Sequence, residues 1–246
     1  MVQRGSCVIY PIALVRQRIQ ELERWEAIYG DRCYIYVYSW LIKDPDGWVL
    51  VDVPGEAETM SRESVKGIRW EQVKTLGNAL EELGTSIGDI KTVIVTHMHI
   101  DHASGLEQFR GSKIIVQQRE MDWLRSSDKF AGFFKKGGLA KLAYTIVNGE
   151  YRVTPEIRVV PVPGHTPGGQ AVLVETKVGK VAIAGFCSLL DNFYPRRMVT
   201  LETETPPGQS LDSEEARQSI RTLKEMADLI IPLHDSFFAK IKHIPT

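Results

Sequence analysis

The sequence predicts one α+β domain spanning residues 1–246, and three observations predict it. A chain of 246 residues is about as long as a single mixed domain allows. Runs rich in β-branched and aromatic residues outnumber the amphipathic helical stretches. Hydrophobic residues at 43% and charged residues at 25% are the usage of a chain that folds around a core, which excludes a disordered, collagenous or coiled-coil polypeptide. No internal repeat or low-complexity segment is visible.

The first element is the apolar run at residues 8–15. It is far shorter than the roughly 20 residues a spanning helix needs. Arg16 and Arg18 follow it in place of a small-residue cleavage pattern, so neither a membrane span nor a signal peptide is expected. Over residues 19–29 the apolar positions Ile19, Leu22, Trp25 and Ile28 recur at helical spacing and offer a face on which a second subunit of a homodimer would pack. Residues 33–42 (CYIYVYSWLI) read as a strand, and the Asp44-Pro45-Asp46-Gly47 turn joins it to a second strand at residues 48–52, forming a hairpin.

From Arg69, the positions Trp70, Val73, Leu76, Leu80 and Leu83 recur every three or four residues and predict one amphipathic helix, closed by Gly84. Residues 92–96 (TVIVT) follow as a short buried strand, and further strands are expected at 113–117, 157–162, 170–175 and 180–184. Segment 128–150 places Phe130, Phe133 and Phe134 beside Lys135, Lys136, Gly137 and Gly138. It reads as a peripheral loop and helix packing aromatics on the core, with a lid or pocket wall as the alternative. Trp25, Tyr29, Phe130, Phe133, Phe134 and Tyr144 are the aromatics that would wall an apolar pocket. Asp212 followed by Glu215 has the capping-box layout for a helix whose apolar face is Ala216, Ile220, Leu223 and Ala227. A last strand at 229–233 ends at His234.

Thirty Lys plus Arg against 31 Asp plus Glu give a net charge of −1, so no global field draws the chain to nucleic acid or an anionic membrane, and neither partner is expected. Cys7, Cys33 and Cys187 are too few and scattered for a disulfide framework, which fits a reducing, cytoplasmic address. Cys7 and Cys33 fall in strand-like runs and read as core.

The chemistry is concentrated in the histidines. His97, His99, Asp101 and His102 form the string HMHIDH directly after the strand at 92–96. In chain leaving a strand, residues two apart point to one side, so His97 and His99 reach one metal while Asp101 and His102 turn toward a second. Imidazole and carboxylate suit zinc, and also iron or manganese. His165 lies in PGHTPGG, where proline and glycine fix the backbone and present one imidazole with little freedom, a third ligand for the first metal. His234 is another strand-end histidine. His243, near the last residue, reads as solvated.

The HMHIDH string, the PGHTPGG turn and the strand-end His234 resemble the metallo-β-lactamase-fold hydrolases, and VDVPG supplies Asp52 as the counterpart of that family's Asp-bearing turn before the first helix. Within the family the chain is most similar to the N-acyl homoserine lactonase-like branch, by its YPIAL start, aromatic-rich second strand and Asp191-Asn192-Phe193 segment. The resemblance implies a four-layer α/β/β/α sandwich with the active site at one edge between the sheets. It also implies two divalent ions, zinc first, with His97, His99 and His165 on one and Asp101, His102 and His234 on the other. Family members place a bridging aspartate after a strand where this chain reads Gly185-Phe186-Cys187. Cys187, as a thiolate, is the candidate replacement; Asp191, or no bridge at all, are the alternatives, and a buried inert thiol is the plain structural reading of Cys187.

Hydrolysis of an ester-like carbonyl, a lactone first, by metal-bound hydroxide is the reaction this implies. Asp101 would orient the nucleophile or pass a proton to the leaving group, and Tyr194 is the candidate hydrogen-bond donor to the carbonyl, with packing beside Phe193 as its other role. A small-molecule substrate is the expected partner. The competing readings are a thioester hydrolase of the glyoxalase II kind, a mononuclear iron oxygenase acting on persulfides, and a noncatalytic metal-binding or ligand-sensing module.

Overall fold

The computed structural model describes residues 6–19, 26–64, 68–126, 134, 138–195 and 202–245. Leu22, Trp25, Phe130 and Phe133, named above, lie outside these residues, and of Tyr29 only the backbone is described.

Twelve strands in the described residues form two sheets. The first contains β1 (Val8–Arg18), β2 (Tyr34–Asp44), β3 (Gly47–Val51), β4 (Trp70–Gln72), β5 (Thr92–Ile94), β6 (Lys113–Gln117) and β7 (Tyr144–Val147), in spatial order β4-β1-β2-β3-β5-β6-β7. The second contains β8 (Tyr151–Arg152), β9 (Ile157–Pro161), β10 (Gln170–Thr176), β11 (Gly179–Ile183) and β12 (Leu229–Ile231), in order β12-β11-β10-β9-β8. The helices that matter here are α1 (Glu26–Tyr29), α2 (Ala57–Glu63), α3 (Leu76–Glu82), α4 (Ile100–Ala103), α5 (Gln118–Ser126), α6 (Leu190–Phe193) and α7 (Ser213–Met226).

Strand periodicity explains how the layers stack. On β2, alternate residues Tyr34, Tyr36, Tyr38, Trp40 and Ile42 face the second sheet and share a core with Val172, Val174, Val181 and Ile183. Their rings run down the strand in contact, Tyr38 on Trp40 at 4.9 Å between centroids. Leu41 points the other way, into a core closed by Leu76 and Leu80 of α3 and Met121 and Leu124 of α5. Ile220 and Leu223 of α7 cover the outer face of the second sheet. The result is the four-layer α/β/β/α sandwich expected from the resemblance, and it explains why β2 is apolar on both faces. The hairpin of β2 and β3 forms in the expected place, with Asp44 opposite Gly47.

One element differs. The helix expected from Arg69 starts only at Leu76, and Trp70–Gln72 is an edge strand paired with β1, Gln72 opposite Val15 and Trp70 opposite Gln17. The free edge of β1 offers hydrogen bonds that a first helical turn would forgo, and Thr75, whose Oγ1 accepts from Asn78 N at 3.4 Å, is the better helix start. Gly84 ends α3 with φ 75°, as its position predicted. The short strands β7 and β8 were not anticipated either; β8 has two residues, too few for any period to show. At α7, the Asp212 carboxylate accepts from Glu214 N and Glu215 N at 3.0 and 2.9 Å, the cap its sequence implied.

The segment at 19–29 forms a helix only over Glu26–Tyr29 in its described part, with Ile28 71% exposed. Among the described residues no helix is long and apolar enough to cross a membrane. Strands β3, β5 and β6 run parallel, as do β11 and β12, so their C-terminal ends and the β9–β10 turn all open at one edge of the sandwich. The two sheets are tied there by Gln170 N donating to Thr96 O at 2.9 Å.

Candidate metal centre

At that edge β3 delivers Asp52, whose φ of 60° turns the chain out of the strand. Its carboxylate is wholly buried, so it needs partners. It accepts from Thr96 N (2.7 Å) and Thr96 Oγ1 (2.8 Å) and lies 2.8 Å from His102 Nδ1. β5 delivers the HMHIDH string, in which His97 and His99 leave the strand and Asp101 and His102 sit on the single turn of α4. The β9–β10 turn delivers His165. Its glycines are required by space: a Cβ on Gly164, at φ 122°, would meet Ala216 N of α7 at 2.1 Å, and one on Gly168 would meet Glu120 N of α5 at 2.0 Å. β12 delivers His234.

Six of these side chains, all but Asp52, fall into two trios. His165 Nε2 lies 3.2 Å from His97 Nε2 and 3.1 Å from His99 Nδ1. His102 Nε2 lies 3.3 Å from His234 Nε2 and 3.4 Å from Asp101 Oδ2, and His234 Nε2 is 3.6 Å from that same oxygen. Within each trio the donor atoms lie inside 4.8 Å of one another. The trios adjoin, with the His97 and His102 rings 4.2 Å apart between centroids.

The far nitrogens decide the tautomers. His165 Nδ1 faces Gln209 O at 2.7 Å and His234 Nδ1 faces Tyr36 O at 2.8 Å; carbonyls only accept, so each Nδ1 carries the proton and each Nε2 presents a lone pair inward. Thr96 Oγ1 donates to Asp52 and is therefore free to accept from His97 Nδ1 at 3.1 Å, which leaves the His97 Nε2 lone pair inward as well. The lone pairs of His97 and His165, 3.2 Å apart, repel unless a cation or proton stands between them. This donor set, with orienting partners on His97, His102, His165 and His234, fits zinc or a similar divalent ion.

The electrostatics of the protein alone agree. Burial, together with the neighbouring imidazoles, holds His97 and His165 below the ordinary histidine range, His165 at about 3, and burial with His102 lowers His234. Burial by itself would lower His102, but Asp101 and Asp52 outweigh it and push it up to about 10. Burial would raise Asp101, yet His102 and then His234 hold it far below the usual carboxylate range.

The other residues singled out from the sequence lie outside the two trios. Cys187 is half-buried in the loop after β11, beside the β12 loop, where His234 N donates to Ser188 O at 3.0 Å. Burial and then the charge of Asp101 push its thiol up to about 12, and its sulfur belongs to neither trio. Asp191 is exposed on α6 and is in neither trio. Tyr194 follows α6, 53% exposed, with Lys224 Nζ 5.5 Å from its ring centroid, while Phe193 is buried against Phe186. Cys7 and Cys33 are buried, and His243 is exposed. Phe134 and Tyr144 pack 6.3 Å apart in the α3–α5 core, so these two serve packing. Sequence reasoning missed Glu120, a fully buried carboxylate on α5 that touches both ligand loops; nothing in QREMDW distinguishes it from a surface acid.

A family model described as Metallo-beta-lactamase superfamily matches residues 35–231. An N-acyl homoserine lactonase of Bacillus sp is 30% identical over 207 residues, 80% of this chain and 78% of its own. A solved N-acyl homoserine lactone hydrolase, with the product N-hexanoyl-L-homoserine bound at its catalytic metal center, superposes with a TM-score of 0.71 at 26% identity, covering 95% of this chain and 94% of its own. AidC, a dizinc quorum-quenching lactonase, shares the fold at 15% identity, with a TM-score of 0.65 over 98% of this chain and 91% of its own.

Proposed function

The chain belongs to the metallo-β-lactamase superfamily and is a metal-dependent hydrolase, and from that premise we propose that it opens lactones, N-acyl homoserine lactones first among them. The observation that carries the reading is the convergence of five imidazoles and one carboxylate, in two adjoining trios, at the edge where the two sheets meet. The Bacillus sp relative and the solved hydrolase described above are named for lactones of this kind.

His97, His99 and His165 would hold one divalent ion and Asp101, His102 and His234 the second, zinc being the first choice for this donor set. Such ions, when bound, lower the pKa of water to about 7 and polarise a carbonyl. The chain's own part is to orient and to move protons. Asp101 is the one carboxylate in the two trios and remains 19% exposed, so it can face the substrate. It would orient the attacking water, or pass a proton from it to the ring oxygen as the acyl C–O bond breaks. Tyr194 is the candidate donor to the carbonyl oxygen.

Cys187 is kept as the replacement for the bridging carboxylate, because its loop is bonded to that of His234 and two dications facing one carboxylate leave positive charge to neutralise. Substitution with Co(II) tests this. A sulfur-to-cobalt charge-transfer band in the near ultraviolet, lost in Cys187→Ser, is expected; an identical spectrum in the variant removes Cys187 from the site.

Acid release from N-acyl homoserine lactones, thioesters, phosphodiesters and β-lactams by zinc-, manganese- and iron-loaded protein tests the function. Lactones are expected to be turned over best. A preference for thioesters, oxygen uptake with persulfides in the iron form, or inactivity on every substrate with full metal loading would overturn the reading.

A further inference from the structure

The geometry points to Glu120 as a positioning residue that sets the distance between the two loops of the first trio, a role that rests on the metal-centre reading above. Its carboxylate is 0% exposed and is divided between the loops: Oε1 accepts Met98 N at 2.8 Å, between His97 and His99, and Oε2 accepts Gly168 N at 3.1 Å, three residues after His165. One rigid group thus spans the two chain segments whose imidazoles must meet. The strand roots below are tied separately, through Gln170 N to Thr96 O and Gln170 Nε2 to Val95 O at 2.8 Å. Those bonds bring the strands together, and the Glu120 bonds act inside the ligand loops.

Other features agree. Gly168 lies directly on the first turn of α5, with no room for a Cβ, so the turn is pressed against the element that carries Glu120. A carboxylate in that first turn is favoured by the helix dipole, and two charge-assisted N–H bonds offset the cost of burying it. The second trio has no such partner on α5. It is braced from β3 by Asp52, through His102. Asp52 acts directly on the His102 ring and, through Thr96, on His97, whereas Glu120 acts on the backbone between the rings of the first trio.

Zinc retention against a chelator tests the assignment in two backgrounds. His234→Ala keeps the first trio intact, and His165→Ala keeps the second. Glu120→Gln is expected to weaken zinc retention by roughly 10- to 100-fold in the first background and by less than about 3-fold in the second. Amide exchange at Met98 and Gly168 should quicken in the same variant. Leu124→Ala, which removes another buried side chain from α5, should lower Tm without this selectivity. If Glu120→Gln fails to fold, Glu120→Asp, one methylene too short to reach both loops, is expected to show the same selectivity. Equal loss in both backgrounds, or none in the first, overturns the role of Glu120 and leaves the metal centre standing. Wild-type protein that retains no zinc overturns the metal centre, and this role with it.

Discussion

The two trios, built from nearly the same side chains, differ in charge. His97, His99 and His165 are three imidazoles, His97 oriented by a hydroxyl and His165 by a carbonyl, with burial keeping His97 and His165 neutral. Asp101, His102 and His234 enclose a carboxylate, and Asp52 adds a second one behind His102. The first set is preorganised in the form a metal needs. The second holds a proton on His102 in exchange for its two acids, and a metal must displace it. On the proposed reading, neutral donors at one position and an anionic set at the next would let the centre hold two cations.

The largest expected effect comes from cutting either side of this comparison at its ligands. His97→Ala or His165→Ala should remove one equivalent of metal and lower kcat/KM by at least about 10³-fold. Full metal content and full activity in either variant would refute the site, as elemental analysis and lactone turnover would show.

Asp52→Asn tests the charged side. Removing the anion that faces His102 should cost roughly 10- to 100-fold in affinity for the second metal, with the first site much less affected. A chelator titration that shows both equivalents weakened alike would mean that Asp52 supports the fold and not one trio.

The pH dependence of the metal-free protein sharpens the contrast further. Burial lowers His97, His165 and His234, so between about pH 3 and 6.5 the unfolded chain takes up protons that the folded chain refuses, and stability falls as the pH falls through that window. His102 is raised to about 10 and acts in the opposite sense: its contribution is complete below 6.5 and is lost as the pH rises toward 10. Tm of the metal-free protein should therefore peak near neutrality and fall more steeply on the acid side, where these three groups titrate, than on the alkaline side, where His102 does. A flat acid limb would contradict the burial of these rings. Loading with zinc at pH 8 should release a proton from His102, measurable by calorimetry in buffers of different ionisation enthalpy.

The smallest effect is reserved for Tyr194. Because it is half-exposed, Tyr194→Phe should lower kcat by less than about 10-fold with metal content unchanged. An unchanged rate would return this residue to the surface, and a loss comparable with that of a ligand variant would give it a larger part than one hydrogen bond.

Much of this protein was legible without coordinates, because its signals are local. The aromatic and β-branched run of β2, the Asp212 cap, Gly84 and the strand-end positions of His97, His165 and His234 each depend on a few neighbouring residues. The stretch after Arg69 misled because a helical spacing and a free strand edge compete there, and only the presence of β1 decides for the strand. The same limit applies at the site. The sequence determined which side chains are able to hold metal, since imidazole and carboxylate chemistry belongs to the residue. Only the tertiary structure decided which nitrogen of His97, His165 and His234 faces inward, and that a buried glutamate joins two loops 70 residues apart at its contact points. Those outcomes depend on hydrogen-bond partners contributed by distant strands, and no local pattern encodes a partner's position.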